Sequence, residues 1–433
     1  MKRIIEIFVF LWILIVSIPS EAVSVIRDTE TEDLLLGYIR KIFKVAGLPP
    51  ENAEIVILND SSINAFVAGG QTIYVHTGLI LKTKSPDELM FVLSHETGHI
   101  VGGHITRGYQ ALKNAQTTAL ISTVIGGVLA VASGSPEAGI ALMAGGQMSS
   151  VGLFTKYRQT EESSADRTAV DIMKKLGYSL KGFEEVMKAI KSEDRLNNGN
   201  DDSYLRTHPL TQTRINDIER FLKNQPPLHH EEAFDLVRAK LAGFLEKPDK
   251  VRMNYSANKT TDLYATAIAD YRQNDFPTAF EKLNQLIEQE PKNPYFYELK
   301  GQLFFETGKL DSSAINYQKA FELKSDSALI QLSYAQVLLE QGGEKNAIMA
   351  EKLLNKVVQK EFDSSFGWQL LSKACHRQGK TEKAEYAMIE YLRTINQLKQ
   401  AQKRAKKMLD SVIKDSTIHQ RLKDILEVHA EDV

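Results

Sequence analysis

The sequence predicts two unlike units in tandem: an α+β domain built around one metal-binding helix, then an all-α solenoid of stacked helix pairs. Three observations predict this. β-branched runs at Glu54–Leu58 and Thr72–His76 stand just before a helix that carries His95 and His99. Beyond Pro226-Pro227 the pattern is almost wholly helical. In that stretch small residues recur every 34 positions, at Ala267, Gly301 and Ala335. A chain of 433 residues with 43% hydrophobic and 25% charged content is long enough for two or three folded cores. Its net charge of −2 gives no reason to expect a nucleic-acid partner.

The first 22 residues read as a cleavable signal peptide. Lys2 and Arg3 precede an apolar run from Ile7 to Val16, and Ser20-Glu21-Ala22 is a small-x-small cleavage site. The run is short for a membrane span. The single cysteine, Cys375, excludes an intrachain disulfide and a cysteine-rich metal site.

The α+β unit is expected over residues 23–225. From Asp33 to Ala46 the residues Leu34, Leu35, Ile39 and Phe43 recur at helical spacing. Glu54–Leu58, Ile63–Val67 and Thr72–His76 read as strands, with a turn at Gly69-Gly70, giving a small antiparallel sheet. Pro86-Asp87-Glu88 is a helix start, and Leu89, Phe91, Val92 and Leu93 supply its apolar positions.

That helix carries His95-Glu96-Thr97-Gly98-His99. Histidines at i and i+4 share one helical face, so both imidazoles reach one ion, and this spacing points to zinc, one per chain. Glu96 then stands beside the open coordination position, where it can take a proton from water as general base. A catalytic zinc wants a third protein ligand, and Glu162 is the candidate. It shares a helical face with Asp166, which can accept the free N–H of a ligand histidine and fix its tautomer. The plainer alternative is an exposed acidic helix start in which Glu162 pairs with Arg158.

Between residues 115 and 152 the chain turns apolar and small. The stretch 119–148 reads as a helical hairpin packed on the domain, a flap over the site, or a surface touching membrane or unfolded chain. Residues 226–433 hold the repeats. Around the small residues Phe276-x2-Ala279 precedes Pro291, Gly308 and Leu310 precede Tyr317 and Ala320, and Trp368-x2-Leu371 with Gly379 and Ala384 gives another copy after an insertion near Glu344 to Ala347. A 34-residue helix-pair period is the tetratricopeptide signature, whose units stack because none buries its own face alone. Lys399, Lys403, Arg404, Lys406 and Lys407 read as the solvated face of a closing helix, with an anionic headgroup or partner as the minority alternative.

The HExxH at His95–His99, followed by Glu-x-x-Ala-Asp at Glu162–Asp166, resembles the gluzincin family of the CAAX prenyl protease and the bacterial membrane heat-shock protease. Asn64-Ala65, Gly69-Gly70 and Val75-x-x-Gly78-Leu79 also match that family's segment before the metal helix. With the signal peptide and the repeats, the chain is most similar to the soluble periplasmic members. The resemblance implies His95, His99 and Glu162 as zinc ligands, Glu96 as base and Asp166 as their supporting carboxylate. It implies a zincin-like metalloprotease fold, misfolded outer-membrane proteins as clients and the barrel assembly machinery as partner.

Thr207-His208-Pro209 stands before a helix containing Arg214, and a similar His-Pro segment follows the third ligand in that family. Three readings of His208 are open: a donor to the oxyanion, a blocker of the open zinc position, or an incidental histidine near a helix cap. His76 and His104 have no clear role. The expected function is a periplasmic zinc endopeptidase that removes stalled outer-membrane proteins, its extended substrate added as a strand beside Thr72–His76. The rival is a chaperone or adaptor that works through its repeats with the zinc site largely silent.

Overall fold

The computed structural model describes residues 24–68, 70–104, 107, 158–196, 208–209, 211–256, 259–410 and 416–427. The signal peptide, Gly69, the 119–148 hairpin and Thr207 lie outside the described residues.

The chain enters through β1 (Val25–Ile26) and α1 (Thr29–Ala46). Asp28 caps α1 by accepting from the Thr31 N–H, so the helix starts four residues before the apolar pattern predicts. Three further strands follow: β2 (Glu54–Leu58), β3 (Ala65–Val67) and β4 (Thr72–His76). The sheet order is β1-β2-β4-β3. It is mixed rather than antiparallel, because β2 and β4 run parallel, with Ile57 opposite Val75. The reason is β3: it turns back antiparallel on β4 with Ala65 opposite Val75, so β4 reaches β2 in the same direction. This also corrects the expected substrate strand. Residues Thr72–His76 already have a partner on each side, and the free edge beyond them belongs to β3.

A short α2 (Thr77–Lys82) leads to the long α3 (Pro86–Gly102). Ser85 caps its start: Ser85 Oγ accepts from the Glu88 N–H, and Glu88 Oε1 accepts from the Lys84 N–H and the Ser85 hydroxyl. Helices α4 (158–176), α5 (Lys181–Leu196) and α6 (Gln212–Glu219) complete this unit. Leu35, Ile39 and Phe43 of α1, Leu89 to Leu93 of α3, and Ala169 and Met173 of α4 share one buried core.

Eight of the remaining helices form consecutive pairs. They are α9 (Thr260–Arg272) with α10 (Phe276–Gln289), α11 (Pro294–Glu306) with α12 (Leu310–Leu323), α13 (Ala328–Gln341) with α14 (Glu344–Lys360), and α15 (Ser365–Arg377) with α16 (Thr381–Thr394). The 34-residue period is thus a tetratricopeptide solenoid. A Cβ on Gly301 would stand 2.9 Å from the Tyr317 ring, which is why a small residue recurs where paired helices cross. The insertion near Glu344 lengthens α14 to 17 residues against 14 in α10, α12 and α16. Helices α17 (Leu398–Leu409) and α18 (Thr417–Glu427) close the stack, with Lys399, Lys403, Lys406 and Lys407 facing solvent.

Helix α7 (Glu232–Leu245), followed by the short α8 (Pro248–Asn254), joins the two units. Its Phe234, Val237 and Leu241 belong to the α1–α3 core, while Leu236 packs with Tyr264 and Phe296 of the solenoid. A buried polar cluster seals the same joint. Lys240 Nζ pairs with Asp28 Oδ1 at 2.5 Å, Tyr264 donates to Glu30 at 2.8 Å, and Thr29 donates to Glu298 at 2.8 Å. Among the described residues no helix is long and apolar enough to cross a membrane.

Candidate metal centre

The site begins with a close helix crossing. A Cβ on Gly98 would lie 2.8 Å from the Ala165 Cα and 2.9 Å from its carbonyl oxygen, so α3 and α4 touch backbone to backbone at that point. The contact sets Glu162 and Asp166, one turn apart on α4, against His95 and His99, one turn apart on α3. All four are buried or nearly so; His99 keeps only 12% of its side chain exposed.

His95, His99, Glu162 and His208 each direct one donor atom into a common centre, all within 4.8 Å of one another. His95 Nε2 stands 3.1 Å from His99 Nε2, 3.3 Å from Glu162 Oε2 and 3.3 Å from His208 Nδ1. His99 Nε2 is 3.4 Å from Glu162 Oε1, and His208 Nδ1 is 3.2 Å from both Glu162 oxygens. These separations test whether an ion fits. Ligands about 2.1 Å from a tetrahedral ion are about 3.4 Å apart along each edge. The separations of 3.1–3.4 Å are close to that edge, and nitrogen with carboxylate oxygen is the chemistry such a site uses.

Charge supports the same fit. Glu96, Glu162, Asp166 and Arg214 are all buried, three carboxylates against one guanidinium, so the centre is short of positive charge. Burial alone would raise Glu162, but hydrogen bonds from His208 and His95 hold it well below the usual carboxylate range. Burial would lower His95, yet Asp166 and then Glu162 lift it to about 9. His99 moves the opposite way, pushed down by burial and by the charge on His95. Glu96 is only 1% exposed and raised by burial. Its Oε1 has no hydrogen-bond partner among the described residues, and His208 Nε2 lies 3.5 Å away.

Residues 31–222 match peptidase family M48. The match spans most of this N-terminal unit. The chain is a metallopeptidase. It is 26% identical over 335 residues to a putative beta-barrel assembly-enhancing protease of Vibrio cholerae, covering 75% of this chain and 68% of that one. To the beta-barrel assembly-enhancing protease of Yersinia pestis it is 25% identical over 357 residues, 80% of this chain and 72% of that one. The metalloprotease LoiP of Escherichia coli is 24% identical over 172 residues, 39% of this chain and 62% of that one.

Every site residue the sequence singled out comes together here. Asp166 Oδ1 lies 2.9 Å from His95 Nδ1, the pairing expected of it. Three features escaped the sequence reading. Arg214, 2% exposed, reaches Asp166, Glu162 and the carbonyls of His208 and Pro209. It sits one turn before Ile218 on the buried face of α6, and an arginine on an apolar stripe was the available signal. The second is the Gly98–Ala165 crossing. The third is His104, whose ring lies against His99. By contrast His76 binds Ser62 Oγ at 2.8 Å, away from the centre.

Proposed function

We propose that this metallopeptidase is a zinc-dependent endopeptidase of the bacterial periplasm that clears misfolded or stalled outer-membrane proteins. One observation carries the catalytic part: two histidines, Glu162 and His208 direct donor atoms into one centre, and the buried Glu96 stands on the helix that carries the first two. In this reading His95, His99 and Glu162 hold the ion. Zinc, when bound, supplies a Lewis acid that polarises the scissile carbonyl and acidifies a water molecule. Glu96 takes the proton from the attacking water and passes it to the leaving amine. Its burial favours this, because a carboxylate stripped of solvent is a better proton acceptor. Asp166 keeps the His95 proton on Nδ1, so that Nε2 faces the ion.

His208 Nδ1 stands at the fourth corner, where water and substrate must enter. That position supports the blocking role over the oxyanion role. It also supports a second reading, in which the chain acts as a chaperone or adaptor until His208 is displaced. An extended client adds along the outer edge of β3, one of the two edges of the sheet.

The proposed organisation is a signal peptide at 1–22, a peptidase domain at 23–225 and a repeat domain at 226–433. The names of the relatives, beta-barrel assembly-enhancing proteases, support a role in β-barrel assembly, and outer-membrane barrel proteins as clients and the barrel assembly machinery as partner of the repeats are proposed with it. The test uses wild type and Glu96→Gln, each assayed for zinc content and for cleavage of an unfolded outer-membrane barrel protein. Zinc in both and cleavage in wild type alone is the expected result. Equal cleavage by both would remove Glu96 from the chemistry.

A further inference from the structure

Helix α3 ends at Gly102, and Gly103 follows with a left-handed φ of +61° that turns the chain back over the last helical turn. That reversal lays His104 against His99, with ring centroids 5.0 Å apart and planes at 81°. Gly102 makes the space: a Cβ there would stand 2.1 Å from His104 Nε2. Two consecutive glycines thus seat one imidazole, which is 4% exposed. His104 Nδ1 lies 3.0 Å from His99 Nδ1.

A hydrogen bond between two imidazole nitrogens needs one protonated and one bare. His99 turns Nε2 toward His95 and Glu162, so Nδ1 is the nitrogen left for His104. We propose that His104 is a positioning residue: its bare Nδ1 accepts the Nδ1–H of His99 and so fixes the tautomer that leaves His99 Nε2 free for the metal. This rests on the zinc reading above. The two ligand histidines are then held differently, His95 by the Asp166 carboxylate and His99 by a neutral ring. A neutral acceptor orients His99 without adding a fourth carboxylate to a centre that already buries three.

The test measures zinc affinity of the full chain by competition with a calibrated chelator. Loss of such an outer acceptor weakens metal binding by about ten- to a hundredfold, and His104→Leu and His104→Ala are expected to show it. His104→Asn places an amide oxygen near the position of Nδ1 and should stay within about threefold of wild type. Leucine fills the space without accepting, so a packing role alone would leave that variant unchanged. Wild-type affinity in His104→Leu overturns the proposal, as does equal loss in the Asn and Leu variants. If the leucine variant does not fold, alanine against asparagine decides in the same way. A wild-type chain that binds no zinc would instead sink the zinc reading itself.

Discussion

Arg214 and Asp166 form a two-point ion pair in the interior, Nε to Oδ2 at 2.6 Å and Nη2 to Oδ1 at 2.8 Å. The same guanidinium reaches Glu162 Oε2 at 3.0 Å and the Pro209 carbonyl at 2.9 Å. One side chain therefore holds the Glu162 carboxylate, the carboxylate behind His95 and the backbone at His208 and Pro209. The planar fork explains the choice of arginine: an ammonium group is a point charge and cannot serve all three in fixed directions.

Replacing Arg214 by Ala is expected to strip Asp166 of its buried partner. Breaking a buried pair by removing one side costs about 3–5 kcal/mol. For a domain of this size that lowers the thermal midpoint by about 10 °C. Zinc should be lost with it, because Glu162 and His95 are no longer held. Arg214→Lys should fall between the two. Calorimetry with metal analysis checks this, and a wild-type melt in the alanine variant would contradict it.

Gly98→Ala sets two effects against each other. Alanine favours the helix by about 1 kcal/mol over glycine. Against this, its Cβ would meet the Ala165 Cα and carbonyl at 2.8 and 2.9 Å. Both are backbone atoms and cannot rotate away, so α3 and α4 must separate. The clash should win by about 1–3 kcal/mol. Separation also draws Glu162 from the histidines, so zinc affinity is expected to fall along with the melting temperature. A more stable protein with unchanged zinc binding would show that the crossing is not tight.

How much of this was legible in the sequence depends on how local each feature is. The metal helix was readable because His95, Glu96 and His99 lie within one turn and helical geometry alone brings them together. Glu162 and Asp166 were readable as a pair for the same reason, and the 34-residue period repeats within itself. The features missed are those that only tertiary contact creates. Arg214 stands 48 residues from Asp166. The parallel pairing of β2 with β4 depends on where β3 folds back, and no single strand encodes it. His104 looked roleless because its partner is reached through a left-handed turn rather than along the helix.

The joint between the two units should respond to pH. Burial raises Glu30 and Glu298 to about 7 from an ordinary 4.5, with Lys240 opposing and Asp28 adding to the shift. A carboxyl raised in the folded state holds its proton there more tightly than in the unfolded chain. Its contribution is therefore whole below the unfolded value and is lost as pH rises through about 7. Wild type should lose thermal stability between about pH 5 and pH 8.5 relative to Glu298→Gln, whose amide does not titrate. Parallel pH profiles for the two proteins would remove Glu298 from the linkage.

His208 gives the prediction of greatest consequence for activity. Its Nδ1 is 3.3 Å from His95 Nε2 and 3.2 Å from both Glu162 oxygens, and in the proposed blocking role it occupies the corner that substrate needs. Glu96 lies beyond it, 3.5 Å from His208 Nε2, and is closed off by the same ring. A blocker must leave before each productive encounter, and apparent activity is reduced by the fraction of time it stays. If the open form is populated about a tenth of the time, His208→Ala should raise the initial rate of unfolded-protein cleavage by about tenfold at equal zinc content. An oxyanion donor predicts the opposite sign, a fall of about a hundredfold with zinc retained. The two roles separate further with a bulky metal-binding inhibitor such as a peptide hydroxamate. Removing a blocker should tighten its binding, whereas removing a donor should leave it unchanged or weaker. A slower enzyme that also binds the inhibitor no better would end the blocking account.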